Sequence, residues 1–372
     1  MNRNLLFIAL ALFTWGMGEA MFINFQPIYL QQLGSDPQQI GFILGLFGAA
    51  MGITHIPAGY IADHVGRRPL LITAWALGLI ATLVMAIATA LPLFVAGMLL
   101  YGVTAFVSSP LSSYVTAARG EWTVGRALTL TTATYSLGMV LGPAAGGWIG
   151  QLYGLRSVYF VSAAIFAVST AIISFIGSQP LDHHDPANPP VSLFSNVRFL
   201  GFAGVVAFAV FAMYLAQPLT PNYLQDARGL SLAQIGLVFT AGALGNALVS
   251  MWLGGLHPRY GYLIAQVLVG FFALLTWRGM YLPIFALGYF LLGGFRAARP
   301  LASAQARDLV HESQMGLTYG MLETVSAIIF ILTPPLAGFL FERDPNLPYP
   351  LSLGLLAVSL VLTFFYTRRI HA

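Results

Sequence analysis

The sequence predicts an all-α membrane protein of twelve transmembrane helices in two pseudo-symmetric six-helix bundles. Three observations carry this reading. First, 58% of the 372 residues are hydrophobic and only 8% are charged. A soluble domain carries about 25% charged residues, and so few charges cannot coat a water-facing surface of this size. Second, apolar runs of roughly 20 residues, enough to span a bilayer, recur along the whole chain. Third, the second half repeats the first. Backbone groups in lipid must be satisfied inside a helix or a closed barrel, and these runs lack the period-2 alternation of barrel strands.

Composition also excludes function classes. The formal net charge is +4, and all sixteen basic residues are Arg. They are scattered and match no nucleic-acid motif, so no nucleic-acid partner is expected. The absence of Lys excludes a lysine Schiff base. The absence of Cys excludes disulfides, thiol catalysis and cysteine-ligated metal. No nucleophile–base pattern, nucleotide loop or metal-ligand spacing appears. The chain therefore reads as a non-enzyme with no cofactor and no metal.

The first span is expected over 5–33. One Arg precedes its apolar run, as in a signal peptide, but no small-residue cleavage site follows and Trp15, Glu19 and Asn24 continue the helix. The second and third spans follow over 38–60 and 69–90, parted by a short loop ending at Arg67 and Arg68. The fourth, fifth and sixth run over 92–116, 125–150 and 157–177. Residues 178–198 are rich in Pro, Asp and Asn and have no apolar period, so they read as a cytoplasmic linker. This divides the chain into bundles 1–177 and 199–372. The remaining spans are expected over 199–225, 232–255, 262–278, 282–306, 315–341 and 349–367.

Arg asymmetry orients the spans. With the N-terminus in the cytoplasm, inner segments hold Arg3, Arg67, Arg68, Arg119, Arg126, Arg198, Arg259, Arg307, Arg368 and Arg369. Outer loops hold Arg156, Arg228, Arg278 and Arg343. Both termini are thus expected inside, in a bacterial inner membrane, with the lipid bilayer as the surrounding partner and the chain as a monomer.

The repeat is visible residue by residue. Gln39-Ile40-Gly41 recurs as Gln234-Ile235-Gly236, an offset of 195, and Gly59 and Gly66 recur as Gly254 and Gly261. Pro27, Tyr29, Leu30 and Gln31 match Pro221, Tyr223, Leu224 and Gln225 at offset 194. Gly97, Gly102, Gly125 and Pro143 match Gly288, Gly293, Gly316 and Pro334 at offset 191. The chain is a duplicated six-span unit in parallel orientation, an arrangement in which two halves enclose a midplane site.

Between the second and third spans stands Gly59-Tyr60-Ile61-Ala62-Asp63-His64-Val65-Gly66-Arg67-Arg68. Gly59 permits close helix approach, Gly66 a tight turn of either backbone sign, and Asp63 can accept from helix amides or from Arg. With twelve spans and a six-span duplication, this motif resembles that of the major facilitator superfamily, and the resemblance covers essentially the whole chain. It implies that Gly59, Asp63, Gly66, Arg67 and Arg68 form a cytoplasmic latch, beyond fixing topology. The second copy is degraded, with Pro258 in place of the Asp and Tyr262 in place of Arg67. In the fifth span, Gly138, Gly142, Pro143, Gly146 and Gly147 are similar to the Gly-Pro signature of the superfamily's export antiporters; a generic packing helix is the alternative. One departure stands out. Met98 occupies the position, four residues before Gly102, where many proton-coupled members carry Arg.

Charges inside the membrane are costly, by a contested ~2.5 kcal/mol or more, and read as functional by default. Glu19 lies at the centre of the first span, roughly 21 Å from either end at about 1.5 Å per residue, with Trp15 and Gln26 on its face. An acid that switches between neutral and ionised forms at that depth can carry one proton per cycle. Glu19, Glu323 and His55 are the candidates for proton coupling. The resemblance implies that spans one, four, seven and ten line a central cavity. That makes Trp15, Gln26, Ser109, Ser112, Tyr214, Gln217, Arg296 and Arg299 candidate contacts of a small-molecule substrate. Arg296 or Arg299 can equally pair with Glu323. The function expected is a secondary active transporter working by alternating access, exporting an amphipathic compound in exchange for protons. Proton-coupled uptake of an organic anion or sugar derivative is the alternative. A non-transporting receptor or scaffold on the same fold needs larger polar loops than this chain offers.

Overall fold

A computed structural model describes residues 3–178, 196–310 and 315–370, with the side chains of 55–65, 109, 308, 315–317 and 367–370 outside the description. The linker therefore lies almost wholly outside the described residues, as do the side chains of His55, Asp63 and Ser109 and the surroundings of Gly59. Among the described residues there is no strand, and twelve helical runs follow one another. They are α1 (Arg3–Gln32), α2 (Pro37–Val65), α3 (Arg67–Ile87), α4 (Leu91–Ala118), α5 (Val124–Tyr153) and α6 (Leu155–Ser174). The second set is α7 (Val197–Tyr214, resuming over Thr220–Asn222 and Tyr223–Ala227), α8 (Leu232–Gly254), α9 (Pro258–Arg278), α10 (Leu282–Leu291 and Gly293–Ala306), α11 (Met315–Arg343) and α12 (Pro348–Ile370).

Over the described residues, nine of these are long and apolar enough to cross a membrane. Of the others, α5 is diluted by Thr and Gly and α10 is cut into pieces of 10 and 14 residues. Large apolar side chains such as Phe42, Leu137, Trp148, Leu248, Met251 and Phe365 stand exposed on the helices. A surface so apolar is suited to lipid rather than water.

Four helices are interrupted, and they are α1, α4, α7 and α10. In α1 a 3-10 turn covers Ile23–Phe25 ahead of Pro27. In α4 another covers Thr104–Val107 ahead of Pro110. The chain leaves the helix between Tyr214 and Thr220 around Pro218 and Pro221, then makes a π turn over Tyr223–Ala227. A proline ring collides with the carbonyl four residues back. For Pro27, Pro110 and Pro221 that carbonyl belongs to Ile23, Phe106 and Gln217, each inside a break. In α10 the break falls at Leu292, beside Gly293 and Gly294.

The chain divides into two compact units. The first is Met1–Ser35, Leu46–Asp185 and Ser231–Thr240; the second is Asp36–Gly45, Pro186–Leu230 and Ala241–Ala372. Each follows one half of the sequence apart from a strip of ten residues taken from the other half.

In the first unit α1 and α5 touch backbone to backbone. A Cβ on Gly138, Gly142 or Gly146 would meet the carbonyl oxygens of Phe13, Met17 and Met21 at 2.2, 2.5 and 2.1 Å. All three distances are too short for any side chain. The spacing of four residues on both helices keeps the glycines on one face. With no hydrophobic drive between helices in lipid, such close approach supplies the packing that holds them. Gly147 lies equally close to Leu232 and Gly236 of the borrowed strip. In the second unit, Gly41 and Gly338 make the matching approach to Pro334 and Pro37.

Some buried polar groups inside the units are paired across helices. The Trp75 indole donates to Ser169 Oγ at 2.8 Å, and Ser169 donates to the Ala11 carbonyl at 2.7 Å, joining α3, α6 and α1. In the second unit Gln266 donates to Thr363 at 3.1 Å and accepts from Ser359 at 2.7 Å, joining α9 and α12.

Candidate functional site

Glu19 sits on α1 four residues before the 3-10 break, and is half-buried. The Tyr135 hydroxyl on α5 donates to its Oε2 at 2.8 Å. The Tyr101 hydroxyl on α4 lies beside Glu19 and Trp15. An indole N–H can only donate and a carboxylate can only accept, so a Tyr101 hydroxyl bridging the two would accept from Trp15 and donate to Glu19. The carboxyl group thus has one phenol donating to it from α5 and a second phenol beside it on α4.

Local packing fixes those phenols. Gly16, one turn before Glu19, has the Tyr135 carbonyl 2.4 Å and the Tyr135 ring 3.0 Å from where a Cβ would stand. Only glycine lets Tyr135 come that close. Trp15 fills the space that Gly78 of α3 leaves open. It stacks on Phe166 at 4.3 Å and on Tyr101 at 6.1 Å. Phe22 meets Tyr101 edge-on at 5.3 Å. Aromatic pairs of this kind contribute about 0.5–1.5 kcal/mol each beyond burial, and here they hold the Tyr101 ring against α1.

The structure places the other first-half candidates differently. Trp15 is only 9% exposed and Gln26 only 1%. Both lie within helix packing, and the Gln26 amide nitrogen is buried with no hydrogen-bond partner. Ser112 is exposed and donates to the Ser108 carbonyl of its own helix at 2.9 Å. Tyr101, Tyr135 and Phe166 are the residues that sequence reasoning missed. Tyr135 lies one turn before Gly138, on the face where the Gly-Pro motif packs, and that position was its only signal.

The second unit carries a separate constellation. Tyr214 of α7 stacks on Phe295 of α10 at 5.8 Å and meets Phe330 of α11 edge-on at 4.9 Å. Arg299 and Glu323 form an ion pair, with side-chain exposures of 39% and 58%. The pair is open, not a buried link between α10 and α11. Arg296 is exposed and close enough to Tyr214 for its charge to be felt there. Gln217 is turned back onto its own helix, donating to the Met213 carbonyl at 2.8 Å.

At the loop before α3, Gly66 takes φ +91°, a left-handed conformation that favours glycine. Arg68 donates to the Ser174 carbonyl at 3.3 Å, reaching from the start of α3 to the end of α6. No group of three or more His, Cys, Asp or Glu side chains able to hold a metal occurs among the described residues.

Comparison with known proteins agrees with this architecture. The family model of the Major Facilitator Superfamily matches residues 8–264 and 202–372. Multidrug resistance protein 1 of Bacillus subtilis is 22% identical over 100% of this chain and 98% of its own length. The quinolone resistance protein NorA of Staphylococcus aureus is 22% identical over 97% of this chain and 96% of its own. Among solved structures, a mutant of the nucleoside transporter NupG superposes with a TM-score of 0.81 at 14% identity, covering 98% of this chain and 99% of that one. The all-α fold, the repeat and the family model converge: this chain belongs to the Major Facilitator Superfamily and is an integral membrane transporter.

Proposed function

We propose that the protein exports a small amphipathic compound in exchange for protons, by alternating access, with Glu19 as the proton carrier. The observation that carries the reading is the Glu19 carboxyl in the middle of α1, met by the Tyr135 hydroxyl at 2.8 Å. A carboxyl that trades its partners when it gains or loses a proton can link a proton to helix movement. The direction of transport rests on the α5 glycines and Pro143 and on relatives named for multidrug and quinolone resistance. The apolar surroundings of Tyr214, Phe295 and Phe330 suit a substrate with an aromatic or aliphatic body. In the same proposal the chain is a monomer in a bacterial inner membrane with both termini cytoplasmic, its halves 1–177 and 199–372 moving about the linker. The loop from Gly59 to Arg68 closes the inner side.

The test is Glu19→Gln in proteoliposomes. Flux driven by a pH gradient should fall at least tenfold while substrate binding stays measurable. Full pH-driven flux in that variant overturns the assignment.

A second reading, proton-coupled uptake of an organic anion or sugar derivative, has one observation behind it. Arg299 is neutralised by Glu323, whereas no carboxylate among the described residues pairs with Arg296. A guanidinium at membrane depth favours an anionic group on the ligand. Arg296→Ala should weaken binding of an anionic probe by about 10-fold or more, equivalent to at least ~1.4 kcal/mol. Unchanged anion binding removes this reading.

A further inference from the structure

We infer that Tyr135 and Tyr101 are positioning residues whose hydroxyls clamp the Glu19 carboxylate, so that its ionised form ties α4 and α5 to α1 and its protonation loosens that tie. The inference rests on Glu19 as the proton carrier and adds how a proton there reaches the helices. An ionised carboxylate is acceptor-only and takes two phenolic donors at full strength. The neutral acid carries its own O–H, keeps one good acceptor, and binds two phenols more weakly. The clamp therefore tightens on deprotonation.

The geometry has no slack at this point. Gly16 lies against the Tyr135 carbonyl and ring, and Gly138, one turn further along α5, lies against Phe13 and Met17. The depth of Tyr135 relative to Glu19 is set by backbone contact and not by flexible side chains. On α4, Tyr101 is held by Trp15 and Phe22.

Among the described residues, those seen to face this stretch of α1 from its neighbours include Tyr135 on α5, Tyr101 on α4, Trp75 and Gly78 on α3, and Ile165 and Phe166 on α6. Among these, only the two tyrosines titrate. The arginines of the same helices are engaged elsewhere. Arg126 lies over the Trp122 ring at 4.3 Å, Arg156 binds the carbonyls of Ala86 and Ile87 at 2.9 and 3.2 Å, and Arg68 binds that of Ser174. Arg67 stands at the first residue of α3.

The experiment is infrared difference spectroscopy of the full chain in lipid, following the C=O band of a protonated carboxyl group against pH. Glu19→Gln identifies the band by removing it. A hydrogen bond to a charged acceptor favours the ionised form, and losing it shifts the balance towards the protonated acid. Tyr135→Phe should therefore move the midpoint of that band to higher pH by about one unit or more, and Tyr101→Phe should move it the same way. Should one variant fail to fold, the other decides. A midpoint unmoved in the folded variants overturns the clamp.

The same variants in the flux assay separate this inference from the coupling assignment. If the band shifts but Glu19→Gln keeps full pH-driven flux, the clamp stands and Glu19 is not the carrier. If Glu19→Gln abolishes that flux and the tyrosine variants keep the parent band midpoint and pH profile, the carrier stands and the clamp falls.

Discussion

Gly142 shows how much one absent atom decides. A Cβ there would lie 2.5 Å from the Met17 carbonyl and 2.6 Å from the Ala20 side chain. Both belong to rigid parts of α1, so neither can step aside, and the helices would have to part. Gly142→Val should therefore cost about 1–3 kcal/mol, the range for overpacking a close contact, read as a lower unfolding midpoint in detergent. Gly125 on the same helix has nothing within 4 Å of its would-be Cβ. Gly125→Ala should be neutral or slightly stabilising, because Ala is the better helix former. If Gly142→Val melts with the parent, the α1–α5 approach yields to a side chain and does not hold the helices together. The glycine face was legible in the sequence because glycine and proline at four-residue spacing have few other uses in a helix. Tyr135 was not, since a half-buried tyrosine carries no spacing of its own. Its relation to Glu19 exists only across 116 residues of chain.

At the scale of the helix, the run lengths were written in the apolar periodicity, and the observed bounds follow them within a few residues. The main departures are α2, which runs to Val65 rather than to 60, and α9, which begins at Pro258 rather than at 262. Charge and aromatic content at the inner rim hid that first turn. The breaks were harder to read. Pro27, Pro110 and Pro221 interrupt their helices, while Pro143 sits inside an unbroken α5 and Pro334 and Pro335 inside an unbroken α11. The difference is tertiary. A freed carbonyl in lipid must find another partner or turn aside, and where a neighbouring backbone packs tightly the helix runs on unbroken. In α5 and α11 that neighbour is present, as Gly236 against Pro143 and Gly41 against Pro334. The interrupted helices α1, α4, α7 and α10 are the ones that carry Glu19, Tyr101, Tyr214, Arg296 and Arg299. Broken turns put irregular backbone beside the candidate sites, where it can bend without dismantling the helices around it.

For the molecule as a whole, the residues that betray the repeat in the sequence also build its equivalent contacts. Gly41 and Gly236, both from a Gln-Ile-Gly triplet, approach Pro334 and Pro143, which are themselves a repeat pair. In the second unit a Cβ on Gly41 would stand 2.3 Å from the Pro334 carbonyl; in the first, a Cβ on Gly236 would stand 2.5 Å from that of Pro143. The same close approach at both places gives a physical reason for these letters to recur in register. It also explains why each compact unit takes in a strip from the other half of the sequence, a feature no linear reading of the bundles 1–177 and 199–372 contains. The equivalence is testable. Gly41→Val and Gly236→Val should each lower the unfolding midpoint, and by similar amounts, because each drives a side chain into a carbonyl at nearly the same distance. The two contacts share no residue, so the double variant should lose the sum of the single losses to within about 0.5 kcal/mol. A large penalty at one glycine and none at the other would mean that the repeat is a relic of duplication. Equal and additive penalties would mean that both copies still bear the load the duplication created.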